Sequence, residues 1–401
     1  MGARIVPNRD KDDAVTTERP RPGRVIGLLA ASVALLTSGP AVAAFQYSVT
    51  DLGVLSGGDQ STSAGINSLG RVVATGTIGS GDFRAAVGGP SPGLESLGVL
   101  AGGRSSFGRA INDSGVVAGT SEIQTGPGKF ANRAFRAMPG QGLQDLGVLP
   151  GGLSSEAVGI DAIGRVAGFS TFLAGNTHAF FSDEGLTLRD LGTLGGANSR
   201  AGGVSRSGIV VGTSETATGA LHAFRSVGGG PLEDLGTLDG GTSSSGFAVN
   251  DSGQVAGSAT NNVGRTRAVR SRIGGGFQDL GVLPSGFESF ATSINSRGDV
   301  VGQTNFIGGN SGAFVFIDGR GLIDLNSAID PRSGVSITGA SAINDAGMIA
   351  ATGIVRGQYH ALLLSPVSTP EPTSALMAAT GGLILLACSR LHRSKGRQGP
   401  A

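Results

Sequence analysis

The chain has 401 residues, room for two or three ordinary domains, but 72 of them are glycine, one is cysteine and none is tryptophan. That is more than twice the usual glycine share of about 7 %; no G-X-Y period runs through it, so collagen is excluded and the glycines serve turns and close backbone approach. The net charge of +1 is segregated: residues 1–44 carry six Lys/Arg against four acids, residues 367–401 four against one, and the stretch between them 20 against 24, too acidic for a nucleic-acid partner, which needs a basic face.

In chain order, a basic segment with Arg19, Arg21 and Arg24 precedes an apolar run from Val25 to Leu36, and Ala41-Val42-Ala43-Ala44 follows. A basic n-region, a short h-region and an A-x-A site predict a signal peptide over residues 1–44, cut by signal peptidase near Ala41, Ala43 and Ala44. A membrane anchor is the alternative, but about 12 apolar residues fall short of the roughly 20 needed to span. The first 18 residues are polar, so either the n-region is extended or translation starts later.

Between residues 45 and 366 the chain repeats itself. The Leu of Asp-Leu-Gly or its variant recurs at 52, 97, 146, 191, 235, 280 and 325; the Gly closing Ile-Asn-x-x-Gly at 70, 115, 164, 208, 253, 298 and 347; the Ala of His-Ala-Phe at 85, 134, 179, 223, 268, 313 and 361. Ala to the next Leu is always 12 residues, which predicts a fixed hairpin, whereas Gly to Ala stretches to 19 in the second copy and Leu to Gly to 22 in the last. Length variation is expected in two surface loops.

Each unit reads as four strands. The first ends in Ile-Asn and keeps small residues two and four positions before the Asn (Ala110 and Gly108, Ala248 and Gly246), as suits a crowded innermost strand. A tight Asn-Asp-Ser-Gly turn follows, then a Val-Val-x-Gly strand, the His/Arg-Ala-Phe strand and a strand running into Asp-Leu-Gly. Four strands in about 45 residues predict one propeller blade. The fold expected is therefore all-β, a seven-bladed β-propeller. The repeats begin with a lone fourth strand, Phe45 to Leu52, and end with a third strand at Ala361 to Leu364, so the N-terminal strand is expected to complete the last blade and leave no open edge. A β-solenoid is the alternative, but its usual coils are shorter and its ends need caps.

After a linker over residues 367–374 that holds Pro370-Glu371-Pro372, an apolar run from Ala375 to Cys388 precedes a basic tail, 389–401, with Arg390, Arg393, Lys395 and Arg397. Apolar residues enter the bilayer and the cationic cluster stays cytoplasmic. This segment resembles the PEP-CTERM sorting signal. The resemblance implies processing by an exosortase in a Gram-negative envelope that also exports exopolysaccharide, with the protein transiently held in the inner membrane and finally at the cell surface or outside it. A plain tail anchor is the alternative; a GPI signal normally ends apolar rather than basic. Through Asp-Leu-Gly-x-Leu-x-Gly-Gly, Ile-Asn-x-x-Gly-x-Val-x-Gly and His-Ala-Phe, residues 51–364 resemble the HAF family of extracellular repeat proteins, with Ser96 in place of Asp, Asn326 in place of Gly, and Arg84, Arg133 and Arg267 in place of His.

Candidate chemistry is sparse. His178, His222 and His360 share one repeat position, on blades three, four and seven, so they are expected to splay around the ring in a structural or surface role rather than converge on a metal. The recurrent Asp51, Asp145, Asp190, Asp234, Asp279 and Asp324 are expected to accept backbone N–H groups in the next turn. Calcium is the alternative use of Asn112-Asp113 or Asn250-Asp251, although neither loop has the alternating acidic ligands of a calcium loop. An active site would break the repeat, and the residues of the first strand that do so are Arg109, Glu156, Arg200 and Glu288. A glycosidase needs two carboxylates about 5 to 10 Å apart, which spacing leaves open for Glu156 and Glu288. No catalytic, metal or cofactor site is assigned. The function expected is a non-enzymatic surface or matrix module that binds exopolysaccharide or another matrix component; the alternative is a secreted carbohydrate-active enzyme with one acidic cleft.

Overall fold

The period of the sequence becomes a ring in the structure, a computed structural model that describes residues 46–272 and 275–367. Seven antiparallel sheets of four strands make seven blades. Blade 1 comprises Ser61–Ile66, Val72–Thr77, Phe83–Gly88 and Leu94–Ser96. Blades 2 to 7 begin with Ser106–Ile111, Gly152–Ile160, Gly195–Val204, Ser244–Val249, Gly286–Ile294 and Val335–Ile343. The first strands lie innermost, each against the first strands of both neighbours, and blade 7 meets blade 1 in the same way. One face of the ring carries the Asn-x-x-Gly turns and is called the turn face. The opposite face carries the Asp-Leu-Gly-x-Leu-x-Gly-Gly loops and is called the loop face. The sorting signal and the signal-peptide residues lie outside the described residues, among which no helix is long and apolar enough to cross a membrane.

Two of the repeated motifs are halves of one contact. The second strand passes so close to the first that a Cβ at Gly119, Gly168, Gly212 or Gly302 would sit 2.0 to 2.1 Å from a first-strand carbonyl oxygen. The same Cβ would strike the ring of the buried third-strand Phe135, Phe180, Phe224 or Phe314. The Gly of Val-x-Gly is thus required by the Phe of Ala-Phe. The apolar cores form between blades rather than within them: Val116, Ala118, Ala134 and Leu149 of blade 2 pack on Ala157, Ile160, Val166 and Phe180 of blade 3. Each blade buries one face against the next, so no blade has a complete core alone.

The closure expected from the register is present. Gln46–Asp51 pairs antiparallel with Gln358–Val367, placing Val49 opposite Leu364 and Asp51 opposite Leu362. The junction reproduces the other blades bond for bond: the Leu52 N–H donates to Ala361 O at 3.0 Å, as Leu97 does to Ala85 at 2.8 Å and Leu191 to Ala179 at 2.9 Å. Tyr47 adds an anchor, with its N–H on Ala328 O at 2.8 Å and its ring in the core between blades 6 and 7. The strand paired with Gln46–Asp51 runs one residue beyond the expected end of the ring, to Val367.

Of the two expected loop insertions, one is not a loop. The extra residues of the second copy lengthen a hairpin, Val117–Gly126 with Lys129–Ala137, because Ile123, Gln124 and their partners continue the ladder instead of leaving it. The extra residues of the last copy do form a loop, which holds a short 3-10 turn at Pro331–Ser333 capped by the Asp330 carboxylate.

Candidate ligand cavity at the centre of the ring

Every first strand slips register at one shared place, between Ser63 and Gly65, Gly108 and Ala110, Ala157 and Gly159, and at the matching place in the other four blades; the first strands of blades 3, 4, 6 and 7 slip a second time nearer their start. A bulge leaves one residue unpaired and re-aims it. The unpaired residues are Ala64, Arg109, Val158, Gly202, Phe247, Thr292 and Ser341, and all seven line a central cavity of about 300 Å³. At this position the seven copies share no residue, whereas the positions around it are nearly invariant in type.

At the turn face the cavity narrows to a ring of side-chain amides. Asn67 Nδ2 donates to Asn112 O at 3.2 Å, Asn112 to Asp161 O at 3.0 Å, Asn250 to Asn295 O at 3.0 Å, Asn295 to Asn344 O at 3.3 Å, and Asn344 to Asn67 O at 2.9 Å. Asp161 and Ser205 replace Asn in blades 3 and 4, where Asp161 pairs with Arg165 at 2.7 Å. Next to the amides, Arg206 of blade 4 reaches across the mouth to Asp113 of blade 2 at 3.4 Å and Asp345 of blade 7 at 3.8 Å. Burial pushes the Asp345 carboxyl up, but the Ser296 backbone N–H and hydroxyl and the Arg206 and Arg297 guanidiniums outweigh it and hold the group below the ordinary carboxylate range. A carboxyl so placed stays ionised at neutral pH, the opposite of what a general acid requires.

The residues singled out from sequence fall in different places. Arg109 lines the cavity, and it has no hydrogen-bond or ion-pair partner among the described residues. Glu156 accepts from Asn132 Nδ2 at 3.3 Å at the boundary of blades 2 and 3. Glu288 accepts the Thr266 N–H at 3.5 Å at the boundary of blades 5 and 6. The structure therefore engages the two glutamates at separate boundaries and does not assemble them into one cleft. Arg200 stacks on Phe169 at 4.8 Å. The histidines pair singly with the repeated aspartates: His178 Nδ1 with Asp190 at 2.7 Å, His222 with Asp234 at 2.9 Å, and His360 with Asp51 at 2.8 Å across the closure. Those aspartates also accept the N–H two residues on, as Asp51 does from Gly53 at 2.8 Å. Asp113 and Asp251, the turn residues considered for calcium, accept the N–H of Ser68 and Ser207 from neighbouring blades at 2.8 and 3.0 Å. No group of three or more His, Cys, Asp or Glu suited to a metal ion is present among the described residues.

One structural residue escaped the sequence reading. A buried serine six positions before the Asn, such as Ser106, donates to its own loop (Gly98 O, 2.6 Å) and accepts the Ala N–H of the preceding His/Arg-Ala-Phe strand (Ala85 N, 2.9 Å). Ser61, Ser155, Ser199, Ser244 and Ser289 do the same. Its recurrence in register was the available signal.

No protein-family model and no curated protein matches the sequence. The structure is similar to solved propellers. A gluconolactonase from Xanthomonas campestris is 15 % identical over 82 % of this chain and 93 % of that one, with a TM-score of 0.42. TolB from Acinetobacter baumannii is 11 % identical over 75 % and 65 %, with a TM-score of 0.40. The BP39L lectin from Burkholderia pseudomallei is 10 % identical over 78 % and 99 %, with a TM-score of 0.41. At these identities the likeness concerns the fold alone.

Proposed function

We propose that the chain is an exported cell-surface or extracellular-matrix protein whose propeller is a binding and structural module, processed by signal peptidase and an exosortase-type enzyme alongside exopolysaccharide export. The observation that carries the module reading is the use made of the chemical side chains. The histidines, the repeated aspartates, the serines and the turn asparagines hold strand to strand and blade to blade, and Glu156 and Glu288 sit at separate boundaries. The topology also supports the sorting step. Gln46 pairs with Val367, so both chain ends leave blade 7 on the turn face. The seven residues from Ser368 to Ser374 span at most about 25 Å, which keeps the turn face toward a membrane that holds residues 375–388 and leaves the loop face outward.

One experiment addresses both parts. Protein extracted from the cell surface is analysed by mass spectrometry, and the purified ring is sedimented with the host's own extracellular polysaccharide. A C-terminus near Pro370 to Pro372 and co-sedimentation without shortening of the polymer are expected. An intact C-terminus through Ala401 on surface protein leaves the plain anchor. Reducing ends released from the polymer favour the carbohydrate-active enzyme.

A further inference from the structure

The geometry points to the central cavity as a binding site for a sugar acid, a hydroxylated carboxylate held by Arg109. The inference rests on the binding-module reading above and names its ligand class.

Three observations converge. First, the bulge position is where the repeat varies freely, and what it presents is a set of complementary groups rather than seven copies of one. Arg109 of blade 2 supplies a cation and Phe247 of blade 5, across the ring, an apolar ring that stays 37 % exposed. Thr292 and Ser341 of blades 6 and 7 supply hydroxyls. Second, those hydroxyls already have acceptors for their protons: Thr292 Oγ1 donates to Ala340 O at 2.7 Å and Ser341 Oγ to Ser63 O at 2.9 Å. Each keeps at least one lone pair for a ligand hydroxyl, Ser341 after accepting from Ser63 Oγ at 2.8 Å. Third, of the charged groups lining the cavity, Arg109 is the one without a hydrogen-bond or ion-pair partner among the described residues. Asp161 is held by Arg165, Asp113 and Asp345 by Arg206, and Asp251 by the Ser207 N–H.

A planar guanidinium matches a carboxylate through two parallel N–H···O bonds. An apolar ring opposite a cation suits a ligand with one charged edge and one C–H face, and acceptor hydroxyls suit a ligand that carries hydroxyl donors. A hexuronate has all three features, and a volume of about 300 Å³ is at the small end of ligand pockets. Arg206 spans the turn-face mouth. The carboxylate can come from a free sugar acid or from the end of an acidic polymer chain.

The test is isothermal titration of the purified ring with glucuronate, with glucose as the uncharged counterpart, and with a defined oligouronide. Glucuronate is expected to bind and glucose to bind at least 10-fold more weakly. Arg109→Gln is expected to weaken glucuronate by roughly 10- to 100-fold, the usual weight of a hydrogen bond to a charged group, with the melting temperature unchanged because the side chain holds no partner. Phe247→Ala is expected to weaken glucuronate and glucose alike. Tighter binding of the oligouronide than of glucuronate identifies the polymer end as the source; equal binding identifies the free acid. Glucuronate and oligouronide both failing to bind at 10 mM, or binding unchanged in Arg109→Gln, overturns the inference. If glucuronate binding is unchanged in Arg109→Gln while polysaccharide still co-sediments with the ring, the module reading survives and the cavity assignment falls.

Discussion

Replacing Tyr47 by alanine tests the closure of the ring at its most concentrated point. Tyr47 is 3 % exposed and packs with Leu325, Ile329, Ile337, Ile343 and Leu364, residues from both sides of the boundary between blades 6 and 7. Truncating a buried aromatic to alanine costs about 3 to 5 kcal/mol through lost transfer free energy and the cavity left behind. With an unfolding entropy near 2.1 cal/mol/K per residue, a ring of this size loses about 1.5 °C per kcal/mol, so a fall of roughly 5 to 7 °C is expected. Tyr47→Phe keeps the ring and removes the hydroxyl, and a clearly smaller fall is expected for it. Differential scanning calorimetry of the mature ring at several scan rates is the assay. Because each interblade core is shared, the transition should stay single and move as a whole. A melting temperature within 1 °C of the parent, or a small separate transition for blade 7 with the main one unmoved, would refute the claim that the strand Gln46–Asp51 closes a cooperative ring.

Gly168→Ala places a Cβ 2.0 Å from the Glu156 carbonyl oxygen and 2.5 Å from Phe180 Cζ. With backbone on one side and a buried ring on the other, at least about 3 kcal/mol of destabilisation is expected in urea titration; less than 1 kcal/mol would mean the two strands are not so close. Stability should fall at both pH extremes. The Asp345 carboxyl is held below its unfolded range, so its contribution is full above about pH 4 and is lost as pH falls through the lower folded value. The Tyr47 phenol is pushed up by burial and by Asp299, with Arg297 opposing, so its contribution is full below about pH 10 and is lost as pH rises toward the folded value. Chemical denaturation from pH 2 to 11 checks both limbs. Removal of the acid-limb difference by Asp345→Asn and of the base-limb difference by Tyr47→Phe assigns each.

Much of this architecture was legible because a repeat reports each constraint seven times. The Gly of Val-x-Gly and the Phe of Ala-Phe recur together in four blades because they meet in one contact, the Asp of Asp-Leu-Gly recurs in six copies, and the closure followed from a fourth strand at one end and a third at the other. What stayed hidden was position in space. The length change in the second copy read as a loop, since spacing cannot tell a loop from two added pairs of ladder. The buried serine was visible as a recurrence but not as a tether, because its partners, as Gly98 and Ala85 are for Ser106, lie on the preceding blade. Glu156 and Glu288 looked like a potential pair, since nothing in their spacing reveals that one closes the boundary of blades 2 and 3 and the other that of blades 5 and 6.

A ring built from such repeats is free to carry chemistry only where the repeat does not fix the side chain. A side chain that recurs in every copy is fixed by the blade, and altering it in one blade disturbs that blade's contact with the next. The bulge residue is less constrained, because it leaves the ladder where all seven innermost strands meet the axis, although Thr292 and Ser341 also bond to the next blade there. Ala64, Val158 and Gly202 there leave space, while Arg109 and Phe247 fill it with charge and an apolar ring. Substitutions at these positions can therefore shape one cavity, except at Gly202, where a Cβ would meet Gly246 O of the next blade at 2.1 Å, and the central axis is where a specific ligand would leave its mark on the sequence.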